Sequence, residues 1–81
     1  MGRTQEDRFK SAVAAVLGIT PEQVTQQLSA DSVDTWDSLN QINLIGALEQ
    51  EFGITLPMER GAAAQSVPAL KALLAEHGVA L

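Results

Sequence analysis

An acid, a serine and a leucine stand together at Asp37-Ser38-Leu39, where a stretch rich in Ser and Asp gives way to a helical pattern. A serine in such a place can serve as a nucleophile or as an acceptor that other enzymes modify. Nucleophilic work needs a base within hydrogen-bond reach, oriented in turn by a third group. The chain has one histidine, His77, in the final turn of the last helical segment, where it reads as a residue complementing the helix dipole. Lysines are equally scarce. The equipment for serine hydrolysis is missing, and the chain reads as a non-enzyme whose serine is modified by others.

Two further chemistries are set aside on spacing. Asp31-Ser32-Val33-Asp34-Thr35-Trp36-Asp37 invites a calcium loop, but such a loop wants a glycine sixth and a glutamate twelfth. Counted from Asp31, those positions hold Trp36 and Ile42. The glycines are dispersed, and none builds a phosphate-binding loop. With 0 cysteines, neither disulfides nor a cysteine-rich metal site are available.

Charge points the same way. The formal net charge is -5, and no Lys or Arg lies between Ser11 and Glu59, while Glu22, Asp31, Asp34, Asp37, Glu49, Glu51 and Glu59 all do. A one-sign field of this kind repels phosphate backbones, so nucleic acid is not an expected partner. It steers partners that carry basic patches, or else it only solvates the surface. No run approaches the roughly 20 apolar residues that span a bilayer, and the N-terminus lacks a signal-peptide core. The expectation is a cytoplasmic monomer without a membrane partner.

The elements that must position Ser38 follow from caps and periodicity. At 81 residues the chain is expected to form one domain, residues 1–81, with a thin core. A first helix starts at Thr4, with Glu6 and Asp7 in its first turn, Phe9, Val13, Val16 and Leu17 as its apolar stripe, and Gly18 as its stop. Thr20-Pro21-Glu22-Gln23 is a second start signal, followed by a short turn with Val24 and Leu28 inward. Residues 29–37 read as a loop. A long helix runs from Ser38 to Phe52 and stops at Gly53. Ile54 to Pro57 is extended, a short weak helical turn occupies Met58 to Ala64, and Ser66 caps a last helix with Leu70, Leu73 and Leu74 inward and Gly78 at its end. No strand is expected. The fold class is all-α: a small bundle of three main helices plus one or two short ones.

The long helix carries more apolar residues than its core face requires. At about 100° per residue, Leu44, Leu48 and Phe52 form one stripe, with Ile45 beside it. Leu39, Ile42, Gly46 and Glu49 form another. That second stripe is either a widened core face or a small docking patch rimmed by acids beside Ser38. Ser38 itself has a plain structural reading. Ser38-Leu39-Asn40-Gln41 matches a capping box, with Gln41 reaching back to the cap, and Asp37 is an alternative cap.

The stretch from Asp34 to Pro57 resembles acyl carrier proteins. The resemblance rests on Asp37-Ser38-Leu39, on the amphipathic helix that follows, on its Leu48-Glu49-Gln50-Glu51-Phe52-Gly53-Ile54 ending, and on the Leu56-Pro57 exit. Length, acidity, the late short helix and the Ser66-Val67 opening fit too, so it covers nearly the whole chain. It implies that Ser38 accepts 4′-phosphopantetheine from coenzyme A, transferred by a magnesium-dependent phosphopantetheinyl transferase. The arm would supply the thiol that this chain lacks, and a helix N-terminus suits its phosphodiester. Asp37 would help the transferase hold its metal ion. Leu39, Ile42, Gly46 and Glu49 would meet partners: acyl-loading enzymes (an acyltransferase or adenylating ligase) and ketosynthase-type enzymes. Trp36 reads as an anchor for the loop, with contact to the arm or a partner as the alternative.

The form Trp36-Asp37-Ser38-Leu39 looks more like discrete carriers of polyketide or related specialised pathways than a housekeeping fatty-acid carrier. Asn40 and Asn43 stand where the housekeeping pattern is usually acidic, and Gly46 where a larger apolar residue is usual. Met1 and the end just after the last helix lead to the expectation of a free-standing protein. The alternatives are an aminoacyl or peptidyl carrier, whose Gly-Gly-His-Ser-Leu form is absent, a D-alanyl carrier, and an unmodified acidic helical adaptor.

Overall fold

The computed structural model describes residues 4–81. Four helices follow one another: α1, Gln5–Leu17; α2, Ser38–Phe52; α3, Met58–Ala63; and α4, Val67–Glu76. A 3-10 turn at Pro21–Gln23 interrupts the long α1–α2 connection. The protein is the small all-α bundle that the periodicity implies, with no strand among the described residues. One isolated antiparallel bridge joins Ser29 to Ser66.

The caps explain where the helices begin and end. Thr4 accepts the Asp7 N–H at 3.0 Å, and Asp7 reaches back to the Thr4 N–H, completing a capping box for α1. At the 3-10 turn the Thr20 N–H donates to Gln23 Oε1 at 2.9 Å. Ser66 Oγ accepts the Ala69 N–H and starts α4. Gly53, at φ 64°, closes α2 in the left-handed region that side chains with a Cβ avoid.

The core is one cluster to which α1, α2 and α4 all contribute. Phe9, Val13 and Leu17 of α1, Leu44 and Leu48 of α2, and Leu70 and Leu74 of α4 are essentially withdrawn from water. Each such side chain contributes about 1.5–3 kcal/mol relative to exposure. Val16, Leu28 and Phe52, expected inside, are only half-buried. Phe52 ends α2, and the Arg8 guanidinium lies over its ring at 5.0 Å from the centroid, so it seals the bundle's edge.

Ion pairs link the helices at the surface. Arg8 Nε meets Glu51 Oε2 at 2.7 Å, and another guanidinium nitrogen of Arg8 donates to the Glu51 carbonyl. Lys71 binds both carboxylate oxygens of Glu6 at 2.8 and 2.9 Å, and Arg60 pairs with Glu76. Pairs as exposed as these are worth about 0–1 kcal/mol each. The long loop is held by backbone: Leu28 accepts the Val67 N–H and Ala30 donates to the Gln65 carbonyl, both at 3.0 Å. That loop therefore reaches the start of α2 along a defined path.

Candidate functional site

Ser38 is the first residue of α2, and Asp37, not Ser38, is the cap. Asp37 Oδ1 accepts the Asn40 N–H at 2.8 Å, and the Asp37 carbonyl accepts the Gln41 N–H at 2.8 Å. The Asn40 side chain turns back and donates to the Thr35 carbonyl at 2.7 Å, fixing the loop that enters the helix. The Ser38–Gln41 capping box is thus corrected. An aspartate one residue earlier supplies a charged acceptor, the stronger choice at a helix N-terminus. The Ser38 side chain is exposed, and its hydroxyl makes no hydrogen bond among the described residues. The N–H groups of Ser38 and Leu39 remain as orphan donors of this helix end.

Beside Ser38 lies a pocket of about 480 Å³, mostly apolar. Ser38, Gln41, Ile42, Ile45, Gly46 and Glu49 line it from α2, Leu56 from the connection, Met58 and Ala62 from α3, and Gln65 from the segment before α4. α3 comes close to α2 because Gly61 has no side chain. A Cβ there would stand 3.1 Å from Ile45 Cγ1. At Gly46 a Cβ would meet nothing within 4 Å, so that glycine leaves open space and relieves no clash.

The second stripe of α2 is not core. Leu39 is 67% exposed and Ile42 70%, and Met58 across the pocket is 87% exposed. Gly46 is exposed as well. Glu49 is half-buried, and its Oε2 accepts the Leu56 N–H at 2.8 Å, tying the end of α2 to the connection into α3. Of the attachment and docking residues read from the sequence, Ser38, Ile42, Gly46 and Glu49 share the pocket, Asp37 adjoins it through Ser38, and Leu39 lies outside its lining. His77 stands apart at the end of α4, its Nδ1 2.9 Å from the Leu73 carbonyl.

Trp36 is buried, as an anchor should be, and its indole Nε1–H donates to Gln41 Oε1 at 2.6 Å. Gln41 is the residue that sequence reasoning misread. Its side chain does not reach back to the cap; the residue is only 5% exposed, the one polar residue buried with the core among the described residues. A signal existed. Gln41 lies three and seven residues before Leu44 and Leu48, on the core stripe, where a polar side chain demands buried partners.

Residues 7–74 match the family described as the phosphopantetheine attachment site. This chain belongs to that family. A curated relative, the acyl carrier protein of Thermosynechococcus vestitus (strain NIES-2133 / IAM M-273 / BP-1), is 40% identical over 53 residues. The match spans 65% of this chain and 65% of the relative's own length. The cofactor of this family member is covalently attached 4′-phosphopantetheine. The residues fit such a group: an exposed, unbonded hydroxyl at a helix N-terminus, two orphan amide donors for an anion, and an apolar pocket alongside. Among the described residues no cluster of three or more His, Asp or Glu is placed to hold a metal, and no helix is long and apolar enough to cross a membrane.

Proposed function

We propose that this family member is an acyl carrier, with Ser38 as the attachment point of its arm. The observation that carries the reading is the placement of the Ser38 hydroxyl: exposed, without a competing hydrogen bond, at the start of α2 and on the rim of an apolar pocket. When bound, the arm supplies the thiol on which an acyl, malonyl-type or aminoacyl group is held as a thioester. The chain's own residues present and steer. The N–H groups of Ser38 and Leu39 favour the phosphodiester through their orientation and the helix dipole. Asp37 keeps Oδ2 open while Oδ1 caps the helix, leaving one oxygen for the metal ion of a phosphopantetheinyl transferase. Leu39, Ile42 and Gly46 form the apolar docking face, and Glu49 with the neighbouring acids governs encounter with basic partners. Those partners are acyl-loading enzymes, an acyltransferase or adenylating ligase, and ketosynthase-type enzymes.

The finer reading is a discrete carrier of polyketide or related specialised biosynthesis, acting in the cytoplasm. Its support is the Trp36-Asp37-Ser38-Leu39 form together with Asn40, Asn43 and Gly46 on α2. The first two replace acids with neutral amides engaged in local hydrogen bonds, and the third opens the pocket.

The test is intact-protein mass after incubation with coenzyme A, magnesium and a promiscuous phosphopantetheinyl transferase. A gain of one phosphopantetheine by the parent and none by Ser38→Ala is the expected outcome. No gain by the folded parent with several transferases overturns the reading and leaves an acidic helical adaptor. For cargo sheltered between the helices, the expected sign is a rise in melting temperature on acylation; no rise removes that part.

A further inference from the structure

The buried amide of Gln41 serves none of the roles described so far. Its Oε1 accepts from Trp36 Nε1 at 2.6 Å, and its Nε2 donates to the Gly61 carbonyl at 2.7 Å and the Ala64 carbonyl at 2.9 Å. These partners fix the amide's orientation. An indole N–H can only donate and a carbonyl can only accept, so the oxygen must face Trp36 and the nitrogen must face α3. Both amide hydrogens are used. On one side the amide holds the loop residue two before Ser38, and on the other it holds the C-terminal end of α3.

Apart from Gly61 packing on Ile45 and the exposed Arg60–Glu76 pair, α3 has few ties of its own. It has six residues, no side-chain cap at Pro57, and only Gly61 buried within it. A helix that short does not persist on its own propensity. Yet Met58 and Ala62 of α3 form one wall of the pocket beside Ser38. We propose that Gln41 is the positioning residue that sets the width of this pocket, by tying α3 to the Trp36 loop through its single buried amide. The arrangement couples the two ends: loosening Trp36 frees the amide and releases the wall, and lifting α3 removes the acceptors that orient the amide. The bearing on cargo rests on the carrier reading. The coupling itself does not, and it is tested on the unmodified chain.

The experiment is amide hydrogen exchange of the unmodified 81-residue protein, comparing α3 with α1 and α4. In Gln41→Glu, which keeps the shape, neutral pH leaves a carboxylate that only accepts, facing two carbonyls. Protection of α3 is expected to fall about tenfold or more beyond any fall in α1 and α4. Protonating that carboxyl restores one donor, so the deficit should shrink on going from about pH 8 to about pH 5. Asp31, Asp37 and Glu49 are the carboxylates that share a pocket lining with Gln41, and the parent followed over the same range removes their contribution. Trp36→Phe, which keeps an aromatic ring but removes the indole N–H together with part of the buried ring volume, should show a deficit in α3 without the pH dependence. Equal loss of protection throughout the bundle, or an α3 deficit in Gln41→Glu that ignores pH, would overturn the proposal in favour of packing alone. If Gln41→Glu does not fold, Trp36→Phe decides: unchanged α3 protection overturns it. None of these readouts depends on whether Ser38 is modified, so failure here and failure of the carrier reading are distinguishable.

Discussion

The two faces of α2 share one helix and one sequence period, yet they obey different rules. The inner face carries Leu44 and Leu48, both fully buried in the common core, and Gln41 with its amide oxygen and both amide hydrogens bonded. The outer face carries Leu39 and Ile42, as apolar as the inner leucines but open to water. Residues of the first kind follow from the need for a core. Residues of the second kind cost solubility and return nothing to the isolated fold, which is the pattern of a surface kept for contact. Apolar character on its own therefore does not locate the core of this helix; the partner across the interface does.

The sharpest way to break the comparison is Leu48→Ala. It should lower stability by about 2–5 kcal/mol, read by denaturant titration, while mass analysis of the folded fraction still shows Ser38 accepting its group. Next comes the outer face. Leu39→Ala combined with Ile42→Ala should leave stability within about 0.5 kcal/mol and slow transferase-catalysed modification by about tenfold, the loss of one moderate anchor. Equal effects of Leu48→Ala and of the Leu39→Ala, Ile42→Ala pair on stability would abolish the distinction between the faces. Gly46→Ala sharpens it further. The new methyl meets nothing within 4 Å, so helix propensity alone should act. Stability rises by up to about 1 kcal/mol in a thermal melt, and the pocket loses space.

The smallest effect lies away from both faces, at Arg60–Glu76 between α3 and α4. The hydrogen bond from Arg60 holds Glu76 below its ordinary value, against an opposing effect of desolvation and with lesser help from the charges of Arg60 and His77. The same bond and charge raise Arg60. A carboxyl lowered on folding stabilises above its unfolded value and loses that contribution as pH falls through the folded value. Glu76→Gln should therefore differ from the parent slightly at neutral pH, and the difference should vanish in acid. A gap that widens in acid contradicts this sign.

The sequence was most legible where the deciding interaction is local. Thr4, Gly18, Gly53 and Ser66 mark helix ends through bonds or dihedrals spanning a few residues, and the structure places them as the pattern implies. Leu44 and Leu48 were legible because burial follows the helical period. Gln41 was not. Two of its partners lie 20 and 23 residues away, and its local match to a capping box offered a nearer but weaker answer than Asp37. Phe52 obeys the period yet ends at the rim, because Arg8, 44 positions earlier in the chain, covers it. The Glu49 bond to Leu56 depends on how the chain turns after Gly53, which no helical wheel contains. At the site, Ser38 and Asp37 were readable as a local unit, while the pocket beside them depends on α3 and so on tertiary structure.

Trp36 is the chain's single tryptophan, buried two residues before Ser38 with its indole N–H engaged. The protein thus contains its own optical gauge. No tyrosine competes with it, and its emission colour responds to the polarity and hydrogen bonding of that one place. Events at the start of α2 can be followed in real time without a label, and a red shift that precedes global melting would mark the loop letting go while the rest of the bundle still stands.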